Sequence, residues 1–200
     1  MPTPTSTRSR ILDAAERLMR TIGLARTTTK EIAREAGCSE AALYKHFTNK
    51  EELFVHVLWE RLPRLNPLLD ELNAEGAGAS RPVEDSLVEI ARQAALFYER
   101  SVPIAASLHA EPALKQRHYA ALRELGAGPR LPLDALSRYL RTQRDAGRLR
   151  ADADTDAAAA LLLGACAQRA FLHDFSADEP PQPLDDFARA LARTLLTGLT

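Results

Sequence analysis

Residues 28–53, running from Thr28 to Leu53, read TTKEIAREAGCSEAALYKHFTNKEEL, and the fold turns on this stretch. Thr28 with Glu31 three residues on is a capping-box pattern, and it predicts a helix through Ile32 and Ala33 to Ala36. Gly37 then offers the left-handed residue of a tight turn. Ser39 predicts the cap of a second short helix, Glu40–Phe47, and Thr48 with Glu51 predicts a further capping box. Two short helices joined by a glycine turn have helix-turn-helix geometry. In that arrangement Glu40–Phe47 enters a DNA major groove while the helix over 29–36 crosses the backbone.

The residue types fit that placement. Leu43 and Phe47 stand at i and i+4 and are expected to face inward, holding the second helix on its support. Ala41 and Ala42 are short enough to let the helix approach base edges, and Tyr44, Lys45 and His46 can bond phosphates. Helix starts near Thr28 and Thr48 expose amides that favour anions. Lys50 sits in a first turn, where a cation is mildly unfavourable unless a phosphate joins it.

Outward from this stretch the periodicity is helical. Ile11, Leu12, Ala15, Leu18, Met19 and Ile22 form one apolar stripe, which Gly23 is expected to stop. A fourth helix is expected to reach about Leu62, where Pro63 and Pro67 interrupt it, and to link head and body. A small-residue loop over 74–82 precedes a long helix from Val83 to about Ser101. Pro103 and Pro112 are expected to open short helices, and a further helix runs from about Pro132 to Ala146. Asp154–Phe171 is apolar almost all round and is expected to be covered on most sides. After a proline-rich connection over 176–183, Phe187 to Leu199 gives two adjacent apolar rows. The fold class is therefore all-α, without repeats or strand-like alternation.

The run from Thr28 to Leu53 resembles the signature of the tetracycline-repressor (TetR) family. Leu43-Tyr44-Lys45-His46-Phe47, followed by Lys50-Glu51-Glu52-Leu53, carries the resemblance, together with its distance from Thr28-Thr29 and Ile32-Ala33. It covers about residues 8–55. The resemblance implies a bacterial, cytoplasmic regulator with a three-helix head over 1–52 and a helical ligand-binding and dimerisation body over 53–200. It implies double-stranded operator DNA, a second copy of the chain and an unidentified small-molecule effector as partners. By carry-over, Tyr44 and His46 contact phosphates or bases, while Thr29 and Lys50 contact phosphates. The expected DNA set is Thr28, Thr29, Lys30, Ser39, Glu40, Ala41, Ala42, Tyr44, Lys45, His46 and Lys50. Glu40 and Ala41 occupy positions that vary in the family and often set base preference. Cys38 stands where an aliphatic residue is more common.

In the body, Trp59, Phe97, Tyr98, His109, Tyr119, Phe171 and His173 are candidates for lining an effector cavity, although aromatic side chains at helical spacing are more often plain core. The last two helices are expected to pair with their copies through Leu161, Gly164, Ala165, Leu191, Leu195 and Leu196. Arg8 and Arg10 fit either an arm reaching DNA or a disordered basic tail.

Composition bounds the alternatives. The 200 residues are 46% hydrophobic, with no 18-residue apolar run and no apolar segment near the N-terminus. The net charge of −1 is unevenly spread: residues 1–50 carry +4 and the remainder −5, which suits a polyanion at one end. Cys38 and Cys166 make neither a disulfide framework nor a zinc site, and the five histidines lack ligand spacing. No phosphate loop, dinucleotide glycine motif or nucleophile elbow is present, so neither cofactor, metal nor catalytic residue is expected. Three readings follow: a repressor released from a palindromic operator by a small molecule, a DNA-bound regulator controlled by a partner protein, and a helical enzyme or structural bundle with an incidental head.

Overall fold

The structure, a computed structural model, describes residues 6–74, 81–109, 112–124, 126, 128–175 and 182–199, and their side chains except those of 107–109, 114 and 175. Most of the expected loop at 74–82 and connection at 176–183 lies outside the described residues. Among the described residues every regular element is an α-helix. In order they are α1 (Thr7–Arg26), α2 (Thr29–Glu35), α3 (Glu40–Tyr44), α4 (Lys50–Glu60), α5 (Leu65–Asn73), α6 (Val83–His109), α7 (Pro112–Glu124), α8 (Leu131–Asp145), α9 (Thr155–Phe175) and α10 (Leu184–Thr197). The chain separates into two compact units, Met1–Leu62 with Arg100–Gly128, and Pro63–Glu99 with Pro129–Thr200. The expected link, the helix from Lys50, lies wholly in the first unit, whereas α6 gives its beginning to the second unit and its end to the first.

In the first unit α1 is capped by Ser6, whose hydroxyl accepts from the Ser9 amide at 3.1 Å. Gly23 ends the regular helix as expected: with φ 79° and ψ 157° it leaves the helical path, and a short further turn to Arg26 places Leu24 in the core. Thr27 closes the segment by returning both its amide and its hydroxyl to the Gly23 carbonyl. Ile11, Leu12, Ala15 and Met19 from α1 meet Ile32, Leu43, Phe47, Leu53, Phe54, Val57 and Ile104 in one buried cluster. α7 packs on α4 through the ring of His118, edge-on to Phe54 at 4.4 Å, and through Arg117 and Glu51 at 3.5 Å.

In the second unit α9 lies against α8 and α10, and α5 against α8. Its core holds Leu65, Leu69, Leu87, Ile90, Leu136, Tyr139, Leu140, Leu162, Cys166, Ala188 and Ala192. Pro67 is the third residue of α5 and sits in a first turn, where its missing amide hydrogen removes no bond. Pro103, expected to open a helix, lies inside α6. Apolar burial on both sides of it, at Ala94, Ala95 and Ile104, favours keeping the helix continuous over the local loss of one backbone bond. α9 is less covered than its composition predicts: Leu161, Phe171 and Leu172 are 65, 51 and 52% exposed.

Candidate nucleic-acid interface

The helix-turn-helix is built from local bonds. Thr28 caps α2 through a reciprocal box: its hydroxyl accepts from the Glu31 amide at 3.2 Å, while the Glu31 carboxylate accepts from the Thr28 amide and hydroxyl. Those bonds from Thr28 hold the Glu31 carboxyl below the usual carboxylate range. Gly37 has φ +65° with open space where a Cβ would stand, so backbone conformation alone requires glycine there. Ser39 caps α3 by accepting from the Ala42 amide at 3.1 Å. α3 is shorter than expected and ends at Tyr44, after which His46 and Phe47 return their amides to the Leu43 carbonyl.

Leu43 and Phe47 are fully buried, and Ala41, Tyr44, Lys45 and His46 are exposed. Lys30 is exposed on α2, as is Thr28 at its cap. Thr29 stands between the helices: its hydroxyl donates to Glu40 Oε1 at 2.5 Å and lies 3.3 Å from the Tyr44 hydroxyl. A groove of about 370 Å³ beside them is lined by Thr27, Thr28, Thr29, Tyr44, Thr48, Asn49 and Lys50. The proposed contacts Thr28, Thr29, Tyr44 and Lys50 are thus gathered on one surface.

Four side chains have structural partners that the sequence reading did not assign. Lys50 Nζ donates to the carbonyls of Leu24 at 3.0 Å and Thr27 at 3.2 Å, where the negative end of α1 offsets a cation's misfit in the first turn of α4. Asn49, not Thr48, caps α4: its Oδ1 accepts from the Glu52 amide at 2.7 Å, and Glu52 Oε2 accepts from the Thr48 amide at 2.6 Å. Arg8 is neither an arm nor a tail. It lies in α1, pairs with both Glu60 oxygens at 2.6 Å, sits over the Phe47 ring at 5.2 Å, and holds the Glu60 carboxyl down to about 2. Arg10 is likewise tied down, donating to the Ala36 carbonyl at 3.1 Å.

The other predicted residues fall into separate places. Phe97 and Tyr98 are half-buried in edge-to-face contact at 5.4 Å, and burial pushes the Tyr98 hydroxyl up to about 12. Trp59, Tyr119, Phe171 and His173 are exposed, and the His109 side chain lies outside the described residues. Leu161, Ala165, Leu191 and Leu195 line a single groove of about 530 Å³ between α9 and α10. Gly164 is exposed and Leu196 half-buried. Sequence reasoning passed over His118, which is buried in α7 with no partner for Nδ1 among the described residues. Its sequence signal is its place between Leu114 and Leu122, four residues away on either side. Among the described residues no helix is long and apolar enough to cross a membrane, and no group of three or more His, Cys, Asp or Glu is placed to hold a metal ion.

Comparison with known proteins gives the family. Residues 11–57 match the family described as bacterial regulatory proteins, tetR family, and residues 88–197 match the AefR-like transcriptional repressor C-terminal domain. The probable HTH-type transcriptional regulator ArpR of Pseudomonas putida is 41% identical over 76 residues, covering 35% of this chain and 36% of its own. The match thus spans about a third of that relative's length. A putative tetR-family regulator from Mesorhizobium loti superposes with a TM-score of 0.71 at 22% identity, covering 98% of both chains. SmeT, the repressor of the Stenotrophomonas maltophilia multidrug efflux pump SmeDEF, superposes with a TM-score of 0.62 at 26% identity over 97% of this chain and 90% of its own.

Proposed function

Because the chain belongs to the tetR family of bacterial regulatory proteins, we propose that it is a dimeric repressor released from a palindromic operator by a small-molecule effector. DNA recognition is assigned to residues 1–52, and effector binding and pairing to 53–200. One observation carries the reading: Thr29, Tyr44 and the start of α4 border one groove on the exposed side of a helix-turn-helix whose inner side is locked by buried Leu43 and Phe47. Phosphates are met by Tyr44, Lys45, His46 and Lys30, and base edges by the start of α3. Lys50 reaches a phosphate while its ammonium, with three hydrogens, keeps a bond to α1. The uncovered apolar groove of α9 and α10 supports pairing with a second copy. A small-molecule effector is supported by SmeT, a structure of which is a triclosan complex. On this reading the regulator acts on double-stranded operator DNA in the cytoplasm and is assigned no reaction.

The test is selection from a palindromic duplex library, followed by binding at graded salt and screening for copurified or added small molecules. We expect enrichment of one inverted repeat with half-sites about 34–36 Å apart or somewhat further. Affinity should fall with salt at a log–log slope of about −0.9 per phosphate neutralised. An effector should weaken the operator complex about 5- to 150-fold, and operator should weaken effector binding by the same factor. Salt-insensitive or sequence-indifferent binding refutes operator recognition. Specific binding that no small molecule alters assigns control to a partner protein instead.

A further inference from the structure

We propose that Glu40 selects a cytosine in each half-site and that Thr29 is the positioning residue that aims it; this rests on the operator-binding reading above. Glu40 is the first residue of α3, after the Ser39 cap, and residues at the start of a recognition helix are those that reach base edges. Thr29 has a single hydroxyl hydrogen. With Glu40 Oε1 at 2.5 Å and the Tyr44 oxygen at 3.3 Å, that hydrogen goes to the carboxylate, and Tyr44 donates its own to the Thr29 oxygen until a phosphate takes it on DNA binding. A bond to an ionised acceptor is stronger than a neutral one, so a flexible side chain is oriented before DNA arrives. Ala41 beside it is small and exposed, which leaves the approach open.

What the carboxylate can then meet follows from its chemistry. An ionised Glu only accepts hydrogen bonds, and among the described residues Glu40 Oε2 has no partner. Phosphates repel it. In the major groove guanine offers N7 and O6 and thymine offers O4, all acceptors, so both repel it as well. Donors are the amino groups of cytosine and adenine, but adenine sets its N7 acceptor beside the amino group. Cytosine N4 has no acceptor beside it on its own base, so it is the favoured contact. The competing structural role, fastening α3 to α2 through Thr29, predicts no base preference at all.

The experiment is selection from a randomised palindromic library with the full-length protein, Glu40→Gln and Thr29→Val. The natural chain should enrich cytosine at one symmetric position by about 5- to 100-fold over the other bases. Glu40→Gln should move that one position to adenine, because an amide offers adenine both a donor and an acceptor, and the flanking positions should keep their bases. Retained flanks show that the variant is folded and in register. Thr29→Val should keep cytosine as first choice with the preference cut several-fold. Identical consensus sequences from the natural chain and Glu40→Gln overturn the proposal and leave Glu40 a fastening residue. Full cytosine preference in Thr29→Val overturns the positioning role. No enriched sequence from the natural chain overturns operator recognition itself, and the inference with it.

Discussion

His118 shows what one buried side chain does to the first unit. It is 3% exposed, its Nδ1 has no partner among the described residues, and Phe54 presses on its ring from α4. Burial lowers its pKa to about 4 from 6.5, against the opposing pull of the Glu51 charge, which Arg117 partly neutralises. The folded chain therefore binds a proton less readily than the unfolded chain does. The stability this contributes is complete above pH 6.5 and is lost as pH falls towards 4. By linkage the loss is up to about 3 kcal/mol. His118→Leu keeps the apolar contact and removes the titration. Urea unfolding at pH 7.5, 5.5 and 4.5 should show a steep decline for the natural chain and a flatter one for the variant. Equal declines would mean that the imidazole is hydrated and titrates normally.

At the scale of elements, the start of α4 separates two caps that look alike in sequence. Thr48 has Glu51 three residues on, and Asn49 has Glu52, so both fit the start pattern. In the structure Asn49 accepts from the Glu52 amide while Thr48 contributes only its backbone. Asn49→Ala should cost about 1 kcal/mol in thermal or urea unfolding, and Thr48→Ala only a few tenths. The reverse order would place the cap at Thr48. This contrast shows what was legible. The Thr28 box, the Gly37 turn and the inward pair Leu43–Phe47 were readable because their partners lie within four residues. Lys50 with Leu24 and Thr27, Thr29 with Glu40, and Arg8 with Glu60 join residues 11 to 52 positions apart, which periodicity does not encode. Pro103 was misread for a related reason: it is a helix breaker by local propensity, and burial of Ile104 beside it favours carrying the helix past it. Aromatic spacing in the body could not distinguish core from cavity: Phe97 and Tyr98 meet each other, while Trp59 meets His56 and Tyr119 meets His118.

At the scale of the whole molecule, one recognition helix reads too few bases for a specific site, so affinity depends on two heads held together. On the proposed reading the pairing surface is the α9–α10 groove, which Leu161, Ala165, Leu191 and Leu195 help to line. Leu195 is a poor probe of assembly, because at 9% exposure it also holds its own unit together, and a charge there unfolds as readily as it dissociates. Leu161 is 65% exposed in the single chain, so Leu161→Glu leaves the monomer core intact. In a two-fold dimer the substitution counts twice: it removes two leucines worth about 1.5–3 kcal/mol each when fully buried and brings two like charges into one apolar interface. Sedimentation should therefore find Leu161→Glu monomeric at concentrations where the natural chain is a dimer, with unchanged helical circular dichroism. Its affinity for the full palindrome should fall towards that of the natural chain for a single half-site. A Leu161→Glu protein that stays dimeric and keeps its operator affinity would move the interface away from α9.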